Sequence, residues 1–395
     1  MSGARQGGAP FASPFGSIDA PDAVSRFLWS IGKRAEADFY LALFQAEEKE
    51  RFAAIAVDGP VITHALDALV VDLRFLAAFG LTPVVVLGLL DATNAARDAA
   101  ALAQALTRSS VRCRVFDAEA PLVHEARSAA RAGEIPIIPL DVRKPDAQRL
   151  DALHGLIVRI STRKLIFLQR RGGIAIDGKG VGIVELNSGL DTLLASPDVS
   201  RKQRTILTSI AYVLDHIAHP CTFTLTSPLD LLRELFTTAG AGTLVRRAAR
   251  IESHADYRAI DTQRLKAMLE SAFNKPLTPG FLDRPVSRVY LEAEYRGAAM
   301  VIETELGAYM SKFAVGRQAQ GEGIGRDVWA ALVADYTTVF WRSRESNPVN
   351  VWYTKQCDGM ARSGAWQVFW RRMPVERIPQ AIAFALEQPK DFPRS

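Results

Sequence analysis

The residues best suited to chemistry lie in the last third of this sequence. Arg342 and Arg344 stand two positions apart, directly after the apolar residues Val339-Phe340-Trp341. On a strand they point to one face and can grip carboxylates through paired N–H donors. Asn347 and Asn350 flank a turn-fixing Pro348, and Tyr353 follows with a hydroxyl able to donate a proton. Upstream, Gln320-Gly321-Glu322-Gly323-Ile324-Gly325 runs out of an apolar strand at 312–315 and into a helix that starts near Arg326. Glycines let the backbone turn sharply and approach a ligand closely, and N–H groups at a helix start attract an anion such as pyrophosphate. Each signal also has a plainer reading, a structural turn for the glycines and a solvated basic strand end for the arginines.

Other reactive side chains carry less. His216 and His219 are spaced for one helix face but lack a third ligand, which points to a helix-end pair and not a metal site. Cys357 has no histidine at motif spacing, so a nucleophilic role is not expected. Gly172-Gly173 and Asp177-Gly178 read as punctuation of a hairpin. Glu303 and Glu305 are the carboxylates that can serve as a base through water, although surface glutamates on a strand are the simpler reading.

The elements that must position these residues change character along the chain. From 21 to 47, Val24, Phe27, Leu28, Ile31, Ala35, Phe39, Leu43 and Phe44 recur at helical spacing. Short apolar runs at 52–57, 83–87, 113–116, 135–138, 165–168 and 221–226 read as buried strands. Helical patterns separate them, on Leu66, Leu69, Val70, Leu73 and Leu76 up to Gly80, then at 95–108 and 201–218. Alternating strands and helices predict an open, mainly parallel sheet covered by helices across 22–250. From 251 the pattern differs: a polar helical stretch to 274, turn formers at 276–285, and a hairpin of 286–291 with 298–303 closed near Arg296-Gly297. A strand at 309–315, a helix at 326–334 and strands at 338–341 and 366–369 complete an α+β domain, 251–395, around a mixed or mainly antiparallel sheet. The stretch 1–21 reads as a disordered tail without the pattern of a secretory signal.

Composition sets the outer limits. The chain has 395 residues, 48% apolar and 23% charged, which suits two globular domains. A net charge of +5 without a dense Lys/Arg block argues against nucleic acid. No apolar run approaches the roughly 20 residues that span a bilayer. Three scattered cysteines fit a reducing cytoplasm better than a disulfide framework.

The loop, with Gln320, Gly323 and Gly325, resembles the acetyl-CoA loop of GNAT acetyltransferases. Residues 258–373 are similar to the acetyltransferase domain of vertebrate-type N-acetylglutamate synthases, a family that includes bifunctional synthase/kinases of some bacteria. The matching pieces are Tyr309-Met310-Ser311-Lys312-Phe313-Ala314-Val315, the glycine loop, residues 341–353 with Asp358-Gly359, and residues 366–370. The resemblance implies that Lys312, Arg342, Arg344 and Asn347 hold the carboxylates of glutamate. It implies that backbone groups of Phe313, Ala314 and Val315 hold the acetyl carbonyl of acetyl-CoA, that Gln320, Gly321, Gly323 and Gly325 hold its pyrophosphate, and that Tyr353 protonates the departing thiolate, with Asn347 beside it.

Residues 22–250 resemble the amino-acid kinase fold of the same family, most clearly at 27–44, at Lys164-Leu165-Ile166-Phe167-Leu168, and where Glu234-Leu235-Phe236-Thr237 leads to Gly240-Ala241-Gly242-Thr243. Active kinases of the family carry Lys-x-Gly-Gly and His-Gly-Gly-Gly; here those places read Ala56-Val57-Asp58-Gly59 and Leu87-Gly88-Leu89-Leu90. Phosphoryl transfer needs charge neutralisation and backbone donors, and both are weakened. The resemblance implies a degenerate kinase domain that senses arginine through Glu234, Gly240, Gly242 and Thr243. The expectation is therefore a glutamate N-acetyltransferase, a homo-oligomer regulated by arginine, with no metal. The rivals are an N-acetylglutamate kinase or bifunctional enzyme, and a non-catalytic arginine sensor.

Overall fold

The computed structural model describes residues 29–30, 32, 34–46, 48–89, 94–117, 123–187, 189–217, 219, 221–237, 240–320 and 322–392. The expected tail at 1–21, the first residues of the expected N-terminal helix, Leu90 and Gly321 lie outside these.

In the first half, β1 (Ala54–Val57), β2 (Val84–Leu87), β3 (Cys113–Val115), β4 (Ile135–Pro139) and β5 (Lys164–Leu168) are followed by the small hairpin β6 (Ala175–Ile176) and β7 (Lys179–Gly180). Asp177 and Gly178 turn that hairpin with φ of 49° and 72°, as a two-residue loop of this hand requires. β8 (Ile183–Glu185), β9 (Thr222–Thr226) and β10 (Thr243–Arg246) complete a sheet of order β3-β4-β2-β1-β5-β9-β10-β8. Every pairing is parallel except β9 with β10. β1 and β2 are apolar at every position because both faces are covered. Ile55, Val57, Val85 and Leu87 enter one core, and Ala54, Ala56, Val84 and Val86 enter the other.

The second sheet contains β11 (Ile251–His254), β12 (Arg288–Glu292), β13 (Gly297–Thr304), β14 (Gly307–Val315), β15 (Val339–Arg344), β16 (Gly359–Ser363) and β17 (Trp366–Arg371), in the order β11-β12-β13-β14-β15-β17-β16. The expected hairpin is present as β12 and β13. One expectation is corrected: residues 251–254 are an edge strand on β12, not the start of a helix. The helix begins only at Thr262, where the Asp261 side chain accepts from the Gln263 and Arg264 N–H groups and caps it.

All pairings in this sheet are antiparallel except β14 with β15, and that pair meets only at Ala308↔Val339 and Tyr309↔Phe340. Beyond these two rungs the strands part, and the edge of β14 from Lys312 to Val315 faces the opening. The helix Ile324–Asp335 packs on one face of the sheet through Val328, Trp329 and Leu332. The helices Thr262–Phe273 and Ile378–Glu387 cover the other.

Candidate active site

Strand alternation sorts the candidate residues to the two sides of the opening. Arg342 and Arg344 share one face, as their spacing requires, and both guanidinium groups lie over the ring of Trp366, at 4.2 and 4.1 Å from its centre. β17 runs opposite β15 with Trp366 facing Arg344, so the indole forms a platform between the two cations. Arg342 also donates to the carbonyls of Leu386 (3.2 Å) and Pro389 (2.7 Å). Lys312 comes to the same side from β14. It is 6% exposed, ringed by Phe273, Phe281 and Phe392, and its ammonium is paired with Asp391. Burial lowers the Lys312 pKa, while Asp391 opposes that shift. Arg284 holds the second Asp391 oxygen at 2.9 Å. Neither Arg284 nor Asp391 carries a local sequence signal; only the fold, joining positions 107 residues apart, brings them to the site.

The opposite face holds Trp341, Ser343 and Tyr353. Tyr353 lies on the helix Asn350–Gln356, with its ring among Trp341 (5.3 Å), Phe369 (5.6 Å) and Phe313 (6.1 Å). Burial raises the pKa of its hydroxyl, so the group stays protonated through the neutral range. Asn347 belongs to this side too, donating to Ser343 Oγ at 3.1 Å while its Oδ1 accepts from the Val349 N–H at 3.2 Å. The structure therefore separates Asn347 from the three cations with which the sequence grouped it.

At the wide end of the opening, Gln320 donates to the Val315 carbonyl at 3.3 Å and ties the loop to β14. Gly323 precedes the helix Ile324–Asp335 with a φ of 81°, a conformation that L side chains rarely adopt. A Cβ on Gly325 would lie 3.2 Å from Val315, so glycine lets the helix start against the strand. Phe313, Ala314 and Val315 pair with β13 on one side and face the opening on the other.

Glu303 accepts from the Tyr336 hydroxyl at 2.5 Å and pairs with Ala308 across β13 and β14. That places it at the closed end of the opening, five residues or about 16 Å along β14 from Phe313. The two histidines have structural partners: the His216 ring lies tilted against Tyr212 with centroids 4.2 Å apart, and His219 hydrogen-bonds the Thr162 carbonyl at 3.1 Å. Burial raises the Cys357 thiol pKa, which disfavours a thiolate. No group of three or more potential metal ligands occurs among the described residues.

In the first half, Glu234 Oε2 accepts from the N–H groups of Ala241 (2.7 Å) and Gly242 (2.9 Å). Thr243 is buried, donating to the Val181 carbonyl at 2.6 Å and accepting from the Ile174 N–H at 2.7 Å. A Cβ on Gly242 would meet the Leu225 carbonyl at 2.4 Å, so the turn presses its backbone onto β9. At the C-terminal end of β1, Ala56 is buried and Asp58 is ion-paired with Lys202.

A parallel kinase-like sheet followed by a sheet that splays beside a glycine loop defines an amino-acid N-acetyltransferase of the GNAT class. The model of the N-acetyltransferase of N-acetylglutamate synthase matches residues 251–384. Over 90% of this chain and 98% of the relative, the sequence is 31% identical to a protein named acetylglutamate kinase from Xanthomonas campestris pv. campestris. It is 30% identical to the mitochondrial N-acetylglutamate synthase of Homo sapiens, over 85% of this chain and 72% of that protein. The chain belongs to this family of N-acetylglutamate synthases and acetylglutamate kinases. The solved N-acetylglutamate synthase of Neisseria gonorrhoeae, complexed with coenzyme A and N-acetyl-glutamate, shares the fold. It has a TM-score of 0.52 at 16% identity over 87% of this chain and 100% of that one. The same enzyme with coenzyme A and L-arginine gives 0.50, again at 16% identity, over 86% and 98%. No helix among the described residues is long and apolar enough to cross a membrane.

Proposed function

We propose that the chain transfers the acetyl group of acetyl-CoA to the α-amine of L-glutamate across the opening between β14 and β15. The observation that carries this reading is the sorting of groups by that opening. Lys312, Arg342 and Arg344 lie on one side, the buried phenol of Tyr353 lies on the other, and the glycine loop stands at the wide end.

Glutamate's two carboxylates are held by Arg342, Arg344 and Lys312, which steer it inward and fix its amine at the gap. Lys312 exchanges Asp391 for a substrate carboxylate. Coenzyme A lies along the other side, its pyrophosphate on the backbone of Gln320, Gly321, Gly323 and Gly325. The thioester carbonyl reaches the N–H groups of Phe313, Ala314 and Val315, which stabilise the oxyanion when the amine nitrogen attacks. The ammonium first gives a proton to solvent. After attack the carbon–sulfur bond breaks, and the sulfur takes a proton from Tyr353, which Asn347 flanks. The proton lost by the new amide nitrogen returns through water to the Tyr353 oxygen. Glu303, at the closed end, is poorly placed to take the amine's proton.

The kinase-like half is regulatory in this reading. L-arginine presents a carboxylate and a guanidinium, which can replace the two halves of the contact between the turn's N–H groups and the Glu234 carboxylate. Its carboxylate takes the Ala241 and Gly242 N–H groups at the turn of Gly240 and Thr243, and its guanidinium takes Glu234. The protein works as a homo-oligomer in the cytoplasm. The test is to incubate purified protein with acetyl-CoA and each amino acid, with and without arginine, and follow thiol release. Release confined to glutamate and altered by arginine supports the reading; release with another amine only, or with none, ends it.

A further inference from the structure

Arg246 stands at the end of β10 in the kinase-like sheet, yet its guanidinium reaches into the acetyltransferase half. It grips both oxygens of Asp327, in the first turn of the helix Ile324–Asp335, at 2.5 Å each. Its Nη2 also donates to Glu185 on the neighbouring strand β8 at 2.9 Å. Asp327 accepts a further bond from the Ala249 N–H at 2.8 Å. The Arg246 side chain is only 7% exposed. Its guanidinium presses on Gly323 so closely that a Cβ there would lie 2.8 Å from Nε.

Asp327 sits where a helix favours an anion, and two parallel N–H···O bonds fix orientation as well as distance. The start of this helix, and with it the glycine loop, therefore has its position set by a residue outside the acetyltransferase sheet. β10 has only four residues, and its other end is Thr243, in the turn that Glu234 holds. Glu322, in the same loop, has its pKa raised by burial, a rise that the charges of Arg296, Arg163 and Lys164 oppose, and it accepts from Arg296 at 3.1 Å.

We propose that Arg246 is a positioning residue for acetyl-CoA, holding the glycine loop in its binding geometry and carrying the state of the Glu234 turn to it along β10. The proposal rests on the functional reading above for the identity of the co-substrate. A change in the turn needs to travel only the length of one short strand, and a bidentate pair converts a shift of that strand into a shift of the helix start.

The experiment compares wild type, Arg246→Ala, Arg246→Lys and Asp327→Asn in the full chain. Coenzyme A binding is measured by calorimetry, steady-state kinetics are measured with acetyl-CoA and glutamate, and each is repeated with L-arginine. Arg246→Ala should weaken coenzyme A binding and raise KM for acetyl-CoA about tenfold or more, with KM for glutamate within twofold. The response to arginine should be largely lost. Arg246→Lys should recover only part of the loss, because an ammonium cannot form the two parallel bonds. Asp327→Asn, which keeps shape and packing, should reproduce the same split if Arg246→Ala fails to fold. Unchanged coenzyme A binding in folded Arg246→Ala or Asp327→Asn overturns the proposal, as does an equal rise in both KM values. If wild type transfers no acetyl group, the functional reading fails separately, and calorimetry with coenzyme A alone still decides the role of Arg246.

Discussion

Lys312 and Asp391, 79 residues apart in the chain, form an ion pair on the floor of the cationic side of the opening. The segment around Asp391 is held by Arg284 as well, and its Pro389 carbonyl by Arg342, so a carboxylate of the chain itself engages the lysine proposed to bind a substrate carboxylate.

Asp391→Asn should therefore lower KM for glutamate by several-fold, because the substrate no longer displaces a charged competitor. Turnover and KM for acetyl-CoA should move little. A KM for glutamate that rises instead would make Asp391 a support for Lys312, and would remove the exchange of partners from the mechanism.

The Arg344 guanidinium lies over Trp366, whereas that of Arg342 lies over Trp366 and also donates to the Leu386 and Pro389 carbonyls. Charge-assisted hydrogen bonds contribute roughly 1.5–3 kcal/mol, so Arg344→Ala should weaken glutamate binding by about one to two powers of ten. Arg342→Ala should do the same and also lower the melting temperature. Coenzyme A binding should be preserved in both. Wild-type dependence on glutamate in both variants would mean that the wrong face of β15 had been assigned to the substrate.

Tyr353→Phe should act on turnover and not on affinity. Its hydroxyl matters as charge gathers on the leaving sulfur, so kcat should fall roughly a hundredfold with little change in either KM. Because burial raises the hydroxyl's pKa, its ionisation should not impose a fall in rate at mildly alkaline pH. An unchanged kcat in the folded variant would pass the proton-donor role to another group.

Much of this arrangement was legible in the sequence because its signals are local. The unbroken apolar runs of β1 and β2 follow from burial on both faces, and the i, i+2 spacing of Arg342 and Arg344 fixed their common side. Residues 251–254 misled because four mostly polar positions on an edge strand show neither period clearly. Asn347 was grouped with the arginines through the family resemblance, whereas the turn after β15 carries its side chain to the other side, onto Ser343. Asp391 and Arg246 left no trace because their partners lie 79 and 81 residues away, and such pairs exist only once the sheets are assembled.

The kinase-like half should not phosphorylate N-acetylglutamate. Ala56 is buried at the place where the resemblance to amino-acid kinases implies a lysine, and Asp58 beside it is an anion that engages Lys202. Charge at that point opposes the binding of a nucleotide's phosphates. Incubation with magnesium-ATP and N-acetylglutamate should yield no phosphorylated product above background. Measurable turnover by the purified protein would show that this half retains catalysis.

Asp72 gives a pH signature that is independent of the active site. It lies on the helix Leu66–Ala78, is 6% exposed, and its Oδ2 has no hydrogen-bond partner among the described residues. Burial pushes its pKa up to about 8, against roughly 3.9 in an unfolded chain. Between those two values the folded state keeps a proton that the unfolded state releases, so stability contributed at this site falls as pH rises from about 4 to about 8. Below that window both states are protonated, and above it both are ionised, so the slope vanishes at either end. Asp72→Asn removes the titration while keeping shape and a polar amide. Near pH 4 the variant and wild type should melt within a degree or so of each other, and by pH 8 the variant should melt several degrees higher. Thermal melts at pH 4, 6 and 8 in buffers of equal ionic strength will read this directly. The other titrating groups are common to both proteins and cancel in the difference. A gap in melting temperature that stays constant across the series would mean that Asp72 is ionised in the folded protein, and that its carboxylate has found a partner or water.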